Sequence, residues 1–208
     1  MSASSPAQSP LYSTADVDGF FRELVGQAID SSGFEPSSAG ASYVVGLLVD
    51  SAKPNASTLN VMGDSSYTLM LAEALESRGP TRFEKLRVLG DGVLYVSGFF
   101  SEHLTRRGLA PYYVRGLGAT AYGGAASMLR GVGTSSTVPD VFSELSQNFE
   151  RFVQLINGVA EELSARAVRD DSSLLDVYER WLNVQSDRLT QLLLDHGVLP
   201  QHKTPGIH

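Results

Sequence analysis

What most constrains this chain is a helical rhythm of apolar side chains that recurs along nearly its whole length. In the clearest stretch Val141, Phe142, Leu145, Phe149, Phe152, Val153, Ile156, Val159 and Leu163 return every third or fourth position. That spacing lines one face of an α-helix and no single face of a strand. Thr137 and Pro139 supply its start. The same rhythm runs through Val17, Phe20, Phe21, Leu24, Val25, Ala28 and Ile29, after a capping-box spacing from Ser13 to Asp16 and before the terminator Ser31-Ser32-Gly33.

Four more segments follow the pattern. Residues from about Ser38 to Ala52 are apolar on almost every side, which predicts a helix in the middle of the core, closed by Pro54 and Asn55. Asp64-Ser65-Ser66 caps a helix through Leu69, Leu71, Ala72, Ala74 and Leu75, stopped by Gly79-Pro80. Pro111 opens another through Tyr112, Tyr113, Val114, Leu117 and Tyr122 to Leu129, ended by Gly131-Val132-Gly133. Asp171 or Ser172 caps the last, through Leu174, Leu175, Val177, Tyr178, Trp181, Leu182, Leu189, Leu192 and Leu193, with Gly197 as terminator.

Between Thr81 and Arg107 the residues pull two ways. Phe83, Leu86, Leu89, Val93, Tyr95, Val96, Phe99, Phe100 and Leu104 fit one long helix packed on two sides. Gly90, Gly92 and Gly98 oppose it, each costing about 1 kcal/mol relative to alanine in a helix interior. Val93-Leu94-Tyr95-Val96 alone reads as a buried strand. The helix is preferred because no partner strand is visible elsewhere, with residues 88–100 open between the two. The expectation is an all-α fold, an irregular bundle of about six to seven helices. It has one domain over 14–198, a disordered Ser/Pro-rich lead-in over 1–13 and a mobile tail over 199–208.

Composition narrows the chemistry. With no cysteine among 208 residues there is no disulfide, thiolate nucleophile, zinc knuckle or iron–sulfur ligation. The longest apolar runs, Tyr43-Val44-Val45 and Leu47-Leu48-Val49, are too short to span a bilayer, and the first residues lack the basic and apolar regions of a secretory signal. A cytoplasmic protein with no membrane association is expected. The formal charge of −7 is unevenly spread. Residues 1–77 carry two basic and nine acidic side chains, 78–115 seven and three, and 116–208 seven and eleven. Nucleic-acid binding, which needs a dominant basic face, is disfavoured. A basic patch of Arg82, Lys85, Arg106 and Arg107 for an acidic partner survives, beside the plainer account that these side chains pair with the acidic helices around them.

Local motifs carry little catalysis. Gly116-Leu117-Gly118-Ala119-Thr120-Ala121 satisfies the letter of a dinucleotide fingerprint, but no strand precedes it, and its small residues read better as a surface on which another helix lies close. Four histidines without a Glu-x-x-His or His-Glu-x-x-His spacing offer no metal site, and no cofactor is implied. No Gly-x-Ser-x-Gly elbow is present. His103-Leu104-Thr105-Arg106-Arg107-Gly108 resembles the motif of histidine phosphotransfer domains, themselves small helical bundles. Arg106 stands at that motif's basic offset, while Gly108 comes one residue late. The resemblance covers these positions alone and implies a phosphoryl-accepting His103; a helix C-terminus favouring a nearby cation explains the histidine as well.

Tyr95, Tyr112, Tyr113 and Tyr122 with Arg115 gather phenols and a guanidinium between two helices. They line either a small polar pocket for an anionic metabolite or part of the core. The leading expectation is a non-enzymatic adaptor or regulator that binds a protein partner. Self-association through the helices Pro139–Arg166 and Ser172–His196 is one form of it. An anion sensor built on the Tyr/Arg cluster is the alternative, and a phosphotransfer-like signalling protein the second; an enzyme of other type ranks last.

Overall fold

A computed structural model describes residues 14–53, 56, 66–131, 140–168 and 171–200. Among these residues the protein is all α-helix: α1 (Thr14–Ser32), α2 (Ser38–Ser51), α3 (Tyr67–Glu76), α4 (Gly79–Phe99), α5 (Ser101–Arg106), α6 (Pro111–Gly131), α7 (Val141–Gln147), α8 (Phe149–Ala167), α9 (Asp171–Val184) and α10 (Asp187–Asp195). The lead-in 1–13 and tail residues 201–208 lie outside the described residues. So do the start signals Thr137 and Pro139.

The helix reading of residues 88–100 holds, and the strand reading is overturned. Helix α4 is the axis of the bundle, with Leu86, Leu89, Val93, Leu94 and Val96 at most 1% exposed, so its apolar residues cover more than one face. Its glycines cost helix propensity but let neighbours come close. A Cβ on Gly90 would lie 2.6 Å from the Tyr122 ring of α6, and one on Gly98 would lie 2.3 Å from Ile156 of α8. Gly118 of α6 does the same, its virtual Cβ lying 2.6 Å from Phe149 and 2.7 Å from Val93. The Gly116–Ala121 segment is thus mid-helix, with no strand before it, and Gly118 serves close packing of α4, α6 and α8.

Three helices expected to be continuous are each broken in two, so the described residues hold ten helical segments where seven were expected. The helix over 81–107 begins earlier, with Pro80 in its first turn, and stops at Phe100. There Arg180, reaching across from α9, donates from Nη1 to the Phe99 carbonyl at 3.1 Å and from Nη2 to the Gly98 carbonyl at 3.3 Å. A cation thus serves carbonyls that a helix end leaves without intrahelical partners. The second break falls at Asn148 (φ −110°, ψ 25°), where α7 gives way to α8. The third falls at Gln185, whose φ of +50° turns the chain, and Ser186 then caps α10 by accepting from the Leu189 N–H at 3.2 Å. Gly33 (φ 62°) and Gly197 (φ 76°) end α1 and α10 as their positions suggested.

Two apolar clusters result. The large one joins α1 to α8, with Leu24, Val44, Leu48, Leu86, Val93, Tyr122, Phe152, Leu155 and Ile156 buried. The small one belongs to the α9–α10 hairpin: Val177, Trp181, Leu189 and Leu193, bridged by a Trp181 Nε1–H donating to Thr190 Oγ1 at 2.8 Å. The apolar faces on which self-association through 139–166 and 172–196 was expected are therefore largely spent inside the chain, Phe149, Phe152, Val153, Ile156, Val159, Trp181 and Leu189 all being buried.

Candidate functional site

The Tyr/Arg cluster divides in three dimensions: Tyr112, Tyr113 and Arg115 line one groove, while Tyr95 and Tyr122 lie outside it. Tyr122 is fully buried, whereas Tyr112, on the same helix, is 89% exposed and Tyr113 is 52% exposed. Tyr95 is half-buried and stacks on Phe99 with ring centroids 5.0 Å apart; burial raises its hydroxyl pKa. Arg115 donates from Nη1 to Glu150 Oε1 of α8 at 2.6 Å. The expected basic patch also divides. Arg82 and Lys85 sit at the start of α4, whereas Arg106 ends α5 and Arg107 follows it, beyond the other end of α4. From Lys85 to Phe99 alone the axis advances about 20 Å. The side chain of His103 lies outside the described residues. Among those described, no group of three or more histidines or carboxylates is placed to hold a metal ion, and no helix is long and apolar enough to cross a membrane.

Side chains converge at two places among the described residues that bear on function. The first is built around Asp91, a carboxylate in the middle of the apolar α4 and only 4% exposed. Its Oδ1 accepts from the hydroxyls of Tyr43 (2.6 Å) and Tyr122 (2.8 Å), and its Oδ2 accepts from Arg87 Nη1 (2.9 Å). Arg87, one turn earlier, also forks onto Glu84 at 2.6 and 3.2 Å. Burial pushes the Asp91 carboxyl pKa upward against the hydrogen bonds of both tyrosines and the Arg87 charge. Burial and the Asp91 charge push both tyrosine hydroxyls far up, so they remain protonated donors. Rings pack round the knot: Phe142 lies 5.4 Å from Tyr43 and 5.9 Å from Tyr122. A cavity of about 180 Å³, lined by Tyr43, Gly46, Leu47, Asp50, Ala56, Arg87 and Asp91, opens beside it.

Sequence reasoning missed this knot. Its signal was a lone carboxylate between two glycines in an apolar run, Leu89-Gly90-Asp91-Gly92-Val93, with Arg87 one turn back. All three neighbours donate and Asp91 only accepts, which suits an ionised carboxylate held as a structural centre.

The second place is a shallow groove of about 430 Å³ between α6 and the start of α8. Tyr112, Tyr113, Gly116, Leu117, Ala119 and Thr120 line one side, with Phe149 and the Arg115–Glu150 pair on the other. Pro111 starts α6 and so sets the register that turns Tyr112, Gly116 and Thr120 outward on one stripe. The groove is open to solvent, and its one cation is already matched by a carboxylate. Comparison with protein-family models, with curated proteins and with solved structures finds no match for this chain.

Proposed function

We propose that this is a non-enzymatic adaptor or regulatory protein that binds a helical segment of a protein partner in the α6–α8 groove. One observation carries the reading: Tyr112, at 89% exposure, and Tyr113, at 52%, stand side by side over an apolar groove floor. Tyrosine presents a large, rigid, amphipathic surface at low entropic cost, and interface hot spots are enriched in it. The exposed stripe of Gly116 and Thr120 keeps the floor low enough for a partner helix to lie in, with Arg115 and Glu150 as a polar rim.

A photo-crosslinking residue in place of Tyr112, in the full chain expressed in its native cells, tests this. A discrete adduct is expected at position 112, absent when the same residue replaces the exposed Asp30 of α1 and lost on adding Tyr113→Ala. Equal adducts at both positions, or none at 112, overturn the reading. An adduct of twice the chain mass replaces the foreign partner by a second copy.

A further inference from the structure

Helices α3 and α4 are joined by Ser77 and Arg78 alone, and two blocks of opposite charge meet at that turn. Glu73 and Glu76, three positions apart, share a face of the last turn of α3, and both are exposed. Arg82 and Lys85, likewise three apart, share a face at the start of α4, and the exposed Arg78 stands just before it. Among the described residues, none of these five side chains makes an ion pair or a hydrogen bond, and Arg82 Nε is buried without an acceptor. Further along α4, by contrast, Arg87 pairs with both Glu84 and Asp91.

Both blocks also stand at the wrong ends of their own helices. A helix favours cations near its C-terminus and carboxylates near its N-terminus. The last turn of α3 holds Glu73 and Glu76 and no basic residue, while the first turn of α4 holds no acidic residue and starts from Arg78. Local rules broken with no gain inside the chain point to a use outside it. A second observation is apolar. Helix α3 buries Tyr67, Leu71 and Ala74 but leaves Leu69 57% and Leu75 44% exposed, the latter between the two glutamates in sequence.

We propose that this edge is an interface between two copies of the chain related by a twofold axis. The Glu73/Glu76 block of each copy faces the Arg78/Arg82/Lys85 block of the other, with Leu69 and Leu75 packed at the contact. A twofold interface brings a patch against itself turned round, so the patch must carry both signs to be matched. An acidic foreign partner drawn to the cations would be repelled by Glu73 and Glu76 beside them; a second copy is answered at both blocks. Exposed ion pairs add little affinity and chiefly fix partner and register, so the leucines supply most of the attraction and the dimer is weak. The surface shares no residue with the α6–α8 groove and does not depend on it.

Sedimentation velocity of the full chain over a range of concentrations tests this, with a reversible monomer–dimer equilibrium in the micromolar range expected. Two charge reversals, Arg82→Glu/Lys85→Glu and Glu73→Lys/Glu76→Lys, should each weaken it about tenfold, because like charges then face each other. Both reversals suit the helix dipoles better than the native residues, so neither melting temperature should fall. Mixed in equal amounts, the two variants should dimerise about as tightly as the native chain. Leu69→Ala/Leu75→Ala should weaken the dimer as well, and Asp30→Lys, on exposed α1, should not. In the native chain, raising salt from about 0.05 M to about 0.5 M should weaken the dimer severalfold. A monomer at every concentration overturns the proposal, as does a dimer indifferent to salt and to both reversals. A mixture that associates no better than its two components overturns the pairing of the blocks.

Discussion

The body of the bundle and its C-terminal hairpin are held by different physics. Around α4 the joints are apolar and close: glycines bring Tyr122 and Ile156 against the helix backbone, and Leu86, Leu89, Val93, Leu94 and Val96 are sealed. The α9–α10 hairpin keeps a core of its own, and many of its ties to the body are polar. Arg180 holds the Gly98 and Phe99 carbonyls, Arg188 pairs with Glu162, and Ser186 hydrogen-bonds Glu161. Shape complementarity in an apolar core responds little to pH or to the loss of one charge. Polar joints respond to both, so the hairpin is the part of this molecule that conditions can loosen first. Asp91 is the exception within the body, a charge sunk in the apolar region and satisfied on both oxygens.

That exception supplies the largest expected effect. Asp91→Ala leaves Arg87, Tyr43 and Tyr122 without their shared acceptor in a buried place, and breaking such a pair from one side costs about 3–5 kcal/mol. Urea unfolding should show this as a lower midpoint of the whole transition. Asp91→Asn, which keeps a carbonyl oxygen for the tyrosines but not the charge for Arg87, should cost less. A loss below about 1 kcal/mol for the alanine variant would mean that water from the adjoining cavity replaces the carboxylate, and that the body is as tolerant of polar change as the hairpin.

The same contrast explains what was legible in the sequence. The all-α class came from periodicity, and Gly33 and Gly197 marked helix ends, because these are local properties of the chain. The breaks at Phe100 and Asn148 were not legible: no glycine or proline stands at either, and the first is served by Arg180, distant in sequence and on another helix. The break at Gln185 did carry a signal, the Ser186-Asp187 start of α10, overlooked because Trp181, Leu182, Leu189 and Leu192 continue the helical spacing across it. The Tyr/Arg cluster was legible in part: Tyr112, Tyr113 and Arg115 line one groove, while Tyr122, on the same helix, does not, because side chains close in sequence on a helix point to different sides. Tyr112 faces water, Arg115 meets Glu150 and Tyr122 enters the core. Conversely, Tyr67 and Tyr113 are separated by 46 positions, and the packing of α3 against α6 brings them to one cavity.

Arg180 provides the intermediate effect. Arg180→Ala removes two charge-assisted hydrogen bonds to carbonyls at the end of α4, a loss of about 1–3 kcal/mol. Its distinguishing mark is where it acts. Amide hydrogen exchange should quicken in α9 and α10 while amides of α4 and α6 keep their protection. Arg180→Lys, which keeps the charge but not the planar fork, should restore only part of it. Uniform loss of protection across both regions would erase the distinction between them.

The smallest effect is one of pH, and its sign follows from Glu161. Burial raises its carboxyl pKa above the ordinary glutamate value, with Ser186, Arg180 and Arg188 pulling the other way without prevailing. Glu161, on α8 where the hairpin docks, therefore holds its proton more tightly in the folded protein than in the unfolded chain. Stability from Glu161 is fully present below the unfolded pKa and is lost as pH rises through the folded one. Acidification from neutrality toward the ordinary glutamate value should slow exchange in α9 and α10 rather than quicken it. Asp91 slopes in the same direction but in the body, so a global melting curve mixes the two. Glu161→Gln separates them: it should flatten the pH dependence of the hairpin amides and leave that of α4 and α6 as it was. If the hairpin instead loosens on acidification in the native chain, ionised Glu161 is a favourable partner of Arg180 and Arg188. Charge attraction, not burial, would then govern that joint.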